Sequence, residues 1–214
     1  MFDLPKLEAL LADSIFSGKL HFAPVTDSTN SDALTAARSG APHGSVWFAD
    51  EQSAGRGRGG NAWRSAAGEG LYVSVLLRLQ IPTSRLLLLP LAAGLAAADA
   101  IHAAASSVNI DLRWPNDLLI GPNKTGGILV EANSEASSGA FAVVGIGINV
   151  HQRSFDPGLA TPATSLDLAA GRAISRLALL VSLLPALERE TAALRDPAAA
   201  ATIPARVEAA STWV

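Results

Sequence analysis

Four strand-like runs follow one another in the middle of the chain, and this succession limits the fold more than any other feature of the sequence. The runs occupy residues 110–114, 117–120, 127–133 and 140–150, with turns rich in Gly, Pro and Asn between them. Short turns join antiparallel strands, whereas parallel strands need a connection of about a dozen residues or more. Earlier runs at residues 19–25, 45–49 and 71–79 also have strand character. We therefore predict an α+β fold with a mixed, largely antiparallel central sheet and helices packed on it.

Helical patterns lie on both sides of these runs. They cover residues 4–16, 32–38, 83–105 and 175–194, and a last helical piece follows Pro204. Pro90 marks either the first turn of the third helix or a kink in it. The most apolar stretch, residues 86–101, is interrupted by Gly94 and Asp99 and is shorter than the roughly 20 residues of a membrane span. We predict a buried helix there and no membrane association.

The composition of the chain disfavours or excludes several classes of function. The 214 residues suit one substantial domain, and 49% of them are hydrophobic, which is enough for a sizeable core. The net charge of −3 disfavours a broad nucleic-acid surface, so DNA is not an expected partner. Cysteine is absent, which excludes disulfides and a thiolate nucleophile and is compatible with a cytoplasmic location. The four histidines have no metal-ligand spacing and indicate no Ser/His/Asp triad.

A run of glycine and arginine is the strongest candidate for ligand binding. It reads GRGRGG at residues 55–60 and is followed by Trp63. Glycines let main-chain N–H groups approach a ligand, and Arg56 and Arg58 add planar cations suited to phosphate or carboxylate. The alternatives are a surface turn and an RGG-type RNA-binding segment. The second alternative requires repeats and disorder, which a single run between strand candidates does not provide.

Polar residues at the ends of later strands are further candidates. Asn116 and Asp117 form either a turn with Asx hydrogen bonds or a carboxylate site for Mg²⁺. Lys124 precedes two glycines, and it is either a solvated turn lysine or a cation directed into a site whose walls lack side chains. Gly147 and Asn149 suggest a flat ligand whose edge the Asn amide reads.

Five segments in this order resemble the biotin protein ligases. They are DSTN at residues 27–30, QSAGRGRGGNAW at 52–63, RWPND at 113–117, KTGGILVE at 124–131 and VGIGINV at 144–150, with TSL at 164–166 as a weaker sixth. The resemblance extends over most of the chain and is more specific than any one motif. It implies a two-step reaction in which biotin and MgATP form biotinoyl-5′-AMP and pyrophosphate. The biotinoyl group then passes to a lysine of a biotin carboxyl carrier protein.

The resemblance also implies roles for individual residues, each with its number in this sequence. The catalytic residues would be Lys124, Arg58 and Asp117, with Asp117 near the Mg²⁺. The biotin-binding residues would be Ser28, Thr29, Asn30, Gln52, Arg56, Gly57, Arg58, Lys124 and Gly127. The ATP-binding residues would be Arg58, Trp63, Asn116, Asp117, Lys124 and Asn149. Relatives often dimerise through the sheet, so a homodimer is left open.

The sequence departs from the family pattern at two places. Asn61 stands where the family loop, G-R-G-R-x-G-R-x-W, usually carries a basic residue. Residues 1–214 are expected to form the catalytic domain, without the usual SH3-like C-terminal domain and without an N-terminal helix-turn-helix. A lipoate ligase or octanoyl transferase of the same fold is the nearest alternative. A biotin-binding fragment with impaired catalysis is an alternative of another class.

Overall fold

A computed structural model of the chain describes residues 2–133 and 141–211. Its centre is a seven-stranded sheet in the order β1-β2-β3-β7-β6-β5-β4. The strands are β1 Leu20–Thr26, β2 Val46–Gln52, β3 Gly70–Leu77, β4 Asp111–Arg113, β5 Asp117–Ile120, β6 Asn123–Asn133 and β7 Phe141–Asn149. β1 and β2 pair in parallel, and every other neighbouring pair is antiparallel. The predicted α+β fold with a mixed, largely antiparallel sheet is confirmed.

One predicted strand boundary was wrong in a way that affects function. We expected a tight turn at residues 121–123 and a strand from residue 127, but β6 already begins at Asn123. The turn is shorter because Gly121 adopts a positive φ of 55°, which glycine does without strain. Lys124 is therefore a strand residue with a fixed side-chain direction. The first residue of the predicted run 140–150 lies outside the described residues.

Seven α-helices accompany the sheet in the described residues. They are α1 Leu4–Leu10, α2 Thr29–Arg38, α3 Thr83–Leu86, α4 Leu89–Ala104, α5 Leu166–Ala170, α6 Arg176–Ala193 and α7 Pro197–Ala209. Pro90 lies in the first turn of α4, where its missing N–H costs no hydrogen bond. The predicted kink is thereby excluded, and the predicted long helix is divided into α3 and α4.

The predicted helix ends were wrong at both termini of the chain. α1 stops at Leu10 rather than residue 16, and hydrogen-bonded turns follow it. α7 begins at Pro197, ahead of the expected start after Pro204, because the Asp196 side chain accepts a hydrogen bond from the Ala198 N–H and caps the helix. The short helix α5 was not predicted. It begins with a Ser165 cap and ends at Gly171, which has a φ of 66°.

The main core lies between one face of the sheet and the helices α4 and α6. Alternate residues of β3, β6 and β7 face these helices, among them Val73, Val75, Ile128, Val144 and Ile146. The segment Thr83–Ala104 has 22 residues, its most apolar 18-residue window has a mean hydropathy of 1.7, and by length and composition it could cross a membrane. Our argument from length was therefore wrong. However, half of its apolar window is buried inside the protein, and burial in this core accounts for its composition.

The opposite face of the sheet is covered over part of its area by α2. Ala33 and Ala37 of α2 pack against Leu76, Phe141 and Val143 in a smaller apolar cluster. α2 begins at Thr29, so the part of this face beyond its N-terminus has no helix above it. The described elements thus leave an open region of sheet at the start of α2, and the Gly/Arg run and the strand β6 border it.

Candidate active site

Three glycines on neighbouring strands form the floor of a pocket beyond the N-terminus of α2. Gly127 of β6 is paired with Gly147 of β7, and Gly145 lies two residues away on the same face. A Cβ atom on Gly147 would lie 2.7 Å from the Trp63 ring, and one on Gly145 would overlap the Asn30 side-chain oxygen. These positions therefore require glycine, since any larger residue would displace the groups that line the pocket.

The pocket contains about 470 Å³ of space, part of it open to solvent. The structure brings most of the predicted site residues to its wall, namely Ser28, Thr29, Asn30, Gln52, Arg56, Gly57, Arg58, Trp63, Asn116, Lys124 and Gly127. Sequence reasoning did not assign Tyr72, Ser74 and Gly145, which also line it. Ser74 left a weak signal as a hydroxyl inside the apolar strand β3. Gly145 left a weak signal as the first glycine of the segment VGIGINV, and Tyr72 left none.

Hydroxyl and amide side chains on the floor of the pocket are connected to one another by hydrogen bonds. The Gln52 Oε1 accepts hydrogen bonds from the Thr29 N–H at 2.9 Å and the Thr29 hydroxyl at 3.1 Å. The Thr29 and Ser74 hydroxyls lie 2.8 Å apart, and Ser74 donates to the Asn30 Oδ1 at 2.6 Å. Ser28 caps α2 without a side-chain bond to the helix. The floor is thus neutral and polar, and it suits a small uncharged ligand group with donors and acceptors.

Tyr72 adds a neutral phenol to this wall. Burial raises the pKa of Tyr72 above its ordinary value, because the charged phenolate would be poorly solvated. Its hydroxyl donates to the Ala66 carbonyl at 3.1 Å. The phenol therefore contributes no negative charge to the pocket at neutral pH.

The Gly/Arg run forms a hairpin beside the pocket. The Trp63 N–H donates to the Gly55 carbonyl at 2.8 Å, and the Gly57 N–H donates to the Asn61 carbonyl at 2.7 Å. The turn is a single 3₁₀ turn, Arg58–Gly60, in which Gly59 and Gly60 have φ values of 70° and 82°. Asn61, the departure from the family pattern, donates from its side-chain amide to the Arg58 carbonyl at 2.9 Å. It therefore closes the turn instead of adding a cation.

The hairpin carries two groups toward the pocket. The Trp63 ring lies against Gly147 and Gly127, and its buried indole N–H has no hydrogen-bond partner within the described residues. The Arg58 guanidinium makes no ion pair with any residue that the structure describes. An unpaired cation and an unpaired indole donor among the lining residues are groups that an anionic ligand would satisfy.

Asp117 lies between two cations rather than in an open carboxylate site. Its Oδ1 is 2.6 Å from the Lys124 Nζ, and its Oδ2 is 2.8 Å from an Arg113 nitrogen. The Lys124 Nζ also lies 5.6 Å from the centre of the Trp63 ring. Asp117 is not among the residues that line the pocket. Its position instead holds the Lys124 ammonium at the edge of the pocket.

The arrangement around Asp117 does not fit a metal held by the protein. Both carboxylate oxygens already contact cations. Within residues 2–133 and 141–211 there is no group of three or more His, Cys, Asp or Glu side chains that could hold a metal ion. Mg²⁺ takes oxygen ligands and prefers substrate phosphates with one or two carboxylates.

Of the two asparagines predicted to bind ATP, only Asn116 lies in the wall of the pocket. Asn116 lines the pocket and is tied to β6, since its side-chain amide donates to the Ile128 carbonyl at 3.1 Å. Asn149 lies outside the pocket lining. Its side-chain amide donates to the Thr164 carbonyl at 3.0 Å, and its Oδ1 accepts from Gln152 at 3.3 Å. In this conformation the Asn149 amide does not face the pocket.

Comparison with known proteins assigns the family. The sequence model of the biotin/lipoate A/B protein ligase family matches residues 22–149, which contain the pocket, the hairpin and Lys124. The chain belongs to this family. Its members in the comparisons include proteins named biotin–[acetyl-CoA-carboxylase] ligase, and the predicted resemblance to the biotin protein ligases is confirmed.

Individual relatives of this ligase-family chain are similar over most of its length. It is 38% identical over 181 residues to the bifunctional ligase/repressor BirA of Bacillus subtilis (strain 168), covering 84% of this chain and 55% of that protein. It is 36% identical over 175 residues to the biotin–[acetyl-CoA-carboxylase] ligase of Paracoccus denitrificans, covering 79% and 71%. The chain thus spans about half the length of the Bacillus relative.

A solved structure supports the same assignment. The biotin protein ligase of Aquifex aeolicus, crystallised in complex with biotin and ATP, superposes with a TM-score of 0.77 at 28% identity. The match covers 92% of this ligase-family chain and 80% of the Aquifex chain. The mixed sheet and its helices are therefore the biotin protein ligase fold.

Proposed function

We propose that this chain is an ATP-dependent biotin–protein ligase. In the first step a biotin carboxylate oxygen attacks the α-phosphorus of ATP, the bond to the β-phosphate breaks, and pyrophosphate leaves. In the second step a lysine amine of a biotin carboxyl carrier protein attacks the biotinoyl carbonyl, and AMP leaves as the amide forms. The cytoplasm, where ATP is available, is the proposed location.

One observation supports this proposal most strongly. Neutral polar side chains and cationic side chains line one small pocket, the first including Thr29, Gln52 and Ser74 and the second Lys124 and Arg58. A ureido ring needs neutral donors and acceptors, whereas a carboxylate meeting a phosphate needs cations to offset their repulsion. Residues of both kinds line this one pocket, which supports biotin and ATP as its ligands.

Each group then has a defined part in the reaction. Ser28, Thr29 and Gln52 bind and orient the ureido end. Lys124, held by Asp117, stabilises charge on the reacting oxygens, and Arg58 covers the adenylate. Trp63 and Asn116 are the proposed ATP contacts within the pocket. Mg²⁺ enters bound to ATP and neutralises its phosphates. Asn149 becomes an adenine contact only if it exchanges its present partners.

The test is adenylation followed by transfer in one tube. The protein is incubated with biotin, ATP and Mg²⁺, biotinoyl-5′-AMP is measured by mass spectrometry, and a carrier domain is then added. We expect adenylate to form first and the mass of the carrier to increase by one biotinoyl group. No adenylate from biotin would reject the proposal. Adenylate without transfer would instead support a biotin-binding fragment with impaired catalysis.

A lipoate or octanoate ligase is the second candidate, because the matched family includes lipoate ligases. A dithiolane ring or an acyl chain offers fewer hydrogen-bonding groups than a ureido ring to the polar floor around Thr29 and Ser74, so it gains less free energy on binding there. We therefore expect biotin to compete fully against lipoate at equal concentration. Preferential formation of lipoyl-AMP would favour the second candidate.

The glycine floor gives a direct prediction for biotin affinity. A Gly145→Ala variant is expected to bind biotin at least about tenfold more weakly, a loss of roughly 1.4 kcal/mol. The new Cβ would push the Asn30 side chain away and break its hydrogen bond with Ser74. Isothermal titration with biotin measures the change.

Gly94→Ala is the matched control for this substitution. Gly94 is buried in α4, and a Cβ there would meet carbons of Ile128 and Leu112 at 3.6 Å, an ordinary contact. Alanine is also the better helix residue. We expect its biotin affinity to equal that of the parent, with an equal or higher Tm. Parental affinity in Gly145→Ala would show that the floor does not hold biotin.

A second prediction tests whether Asp117 positions the Lys124 ammonium or binds a metal ion. Asp117→Asn is expected to slow adenylation about 10- to 100-fold, because Lys124 loses the charge that orients it. The Mg²⁺ concentration for half-maximal rate should stay unchanged. Asp13→Asn, at an exposed position outside the site, is the control for the lost charge. A shift of the Mg²⁺ midpoint would instead make Asp117 a metal ligand.

A further inference from the structure

Arg56 lines the pocket, but its guanidinium group is hydrogen-bonded to another side chain of the protein. Its two terminal nitrogens lie 3.0 Å and 2.7 Å from the two Glu131 carboxylate oxygens. Such a bidentate pair fixes both distance and orientation. Arg56 belongs to the first strand of the Gly/Arg hairpin, and Glu131 belongs to β6 of the sheet. The pair therefore joins a surface hairpin to the rigid sheet.

Asn30 connects this pair to the pocket floor. Its Nδ2 donates to the Glu131 Oε2 at 2.8 Å and more weakly to the Leu129 carbonyl at 3.4 Å. Its Oδ1 accepts from Ser74. Asn30 is 4% exposed, and its amide groups are engaged by the protein. A continuous path of hydrogen bonds thus runs from Thr29 through Ser74, Asn30 and Glu131 to Arg56.

We propose that Arg56, Glu131 and Asn30 form a latch that holds the Gly/Arg hairpin closed beside the pocket. Arg56 and Asn30 are positioning residues that act on Arg58 and Trp63 through the hairpin, and biotin is not their direct ligand. Glu131 is the member that sequence reasoning left without a role. The consequence for catalysis rests on the ligase activity proposed above, whereas the latch itself does not.

The exposure of the Arg56–Glu131 pair indicates how firmly it holds the hairpin. The two ends of the ion pair are partly exposed, with side-chain exposures of 40% for Arg56 and 27% for Glu131. Partly exposed pairs are weak and are screened by salt. The latch is therefore weak enough to open for substrate entry.

The first arm of the experiment needs no ligand. Trypsin cleavage after Arg58 is followed by mass spectrometry in the parent and in Glu131→Gln, which keeps an acceptor for Asn30 and removes the charge. We expect cleavage about 3- to 5-fold faster in the variant, because cleavage follows the population of the open hairpin. Raising the salt concentration should accelerate cleavage of the parent and not of the variant, because only the parent has the ion pair that salt screens. Each rate is divided by the rate for a free peptide of residues 55–63, which corrects for the effect of salt on trypsin itself.

Glu208→Gln is the matched control. It makes the same change of net charge on α7, away from the pocket and with no ion pair in the described part of the chain. Its cleavage rate after Arg58 should equal that of the parent. Equal cleavage in the parent and Glu131→Gln, with equal Tm values, would overturn the latch.

The second arm measures catalysis. In Glu131→Gln we expect the fraction of biotinoyl-5′-AMP released into solution to rise severalfold, while the biotin Kd changes less than twofold. A purely structural role would lower Tm and leave this fraction unchanged. If Arg56 instead binds biotin directly, freeing it from Glu131 would change the Kd and leave proteolysis unaltered, which overturns the proposal. If the parent forms no adenylate, the proposed function fails, and the proteolysis arm still decides the latch.

Discussion

A Lys124→Ala variant is expected to form biotinoyl-5′-AMP about 10²- to 10³-fold more slowly than the parent, which is the usual effect of removing a preorganised charge-stabilising donor. The Lys124 ammonium is fixed on β6, 2.6 Å from Asp117, and it borders the pocket. Adenylation brings a carboxylate against a phosphate, so charge builds up where this cation lies. Single-turnover formation of biotinoyl-5′-AMP, followed by rapid quench and mass spectrometry, measures the effect.

Biotin affinity should change little in the same variant, because the neutral floor at Thr29, Gln52 and Ser74 remains intact. Lys6→Ala provides the control, since Lys6 is exposed on α1 and distant in sequence from the site. Adenylation by Lys124→Ala at the parental rate would contradict the assigned role. A large loss of biotin affinity with a normal rate from the bound complex would make Lys124 a binding residue only.

The parts of the fold that the sequence predicted are those governed by local pattern. The alternation in β3, β6 and β7 is strong because one face packs on α4 and α6, as Val73 and Val75 of β3 illustrate. Helix ends were less predictable. The turns after α1 and the start of α7 depend on individual capping groups, such as Asp196, and periodicity does not contain that information. The parallel pairing of β1 with β2 is likewise a tertiary feature.

Site residues were predictable as members of motifs, whereas their partners were not. Arg56, Asn30 and Asp117 were all assigned to ligands or a metal, yet the structure shows each of them bonded to other protein groups. Sequence separation explains the difference, since Arg56 and Glu131 are 75 residues apart. A motif indicates which residue types a site needs. The register of the sheet decides which of them face the ligand and which hold their neighbours.

The hairpin illustrates how two arginines of one run acquire different functions. Arg56 is anchored on Glu131, whereas Arg58 lies at the tip of the turn without an ion-pair partner in the described residues. One residue separates them, so on an extended strand their side chains share a face. The glycine turn redirects Arg58, and the anchored Arg56 supplies a fixed base from which Arg58 reaches the pocket mouth.

The second large effect is expected for Arg58→Gly, which should release biotinoyl-5′-AMP into solution and biotinylate unrelated proteins. The adenylate is a reactive mixed anhydride that must be sequestered from water and from other amines. Arg58 is the free cation of the hairpin and suits the adenylate phosphate. Removing it should leave adenylation within about tenfold of the parent and raise the released fraction by about tenfold or more, as expected for loss of a charge-assisted contact.

Incubation of the variant with biotin, ATP and a mixture of proteins that lack a carrier domain tests this expectation, with labelled lysines mapped by mass spectrometry. Arg38→Gly is a control at the end of α2, provided that its Tm is close to that of the parent. Labelling confined to a carrier lysine in Arg58→Gly would contradict retention by Arg58. Comparison with Glu131→Gln then ranks the two contributions. We expect greater release from Arg58→Gly than from Glu131→Gln, because the opened hairpin of Glu131→Gln still carries Arg58 and closes again.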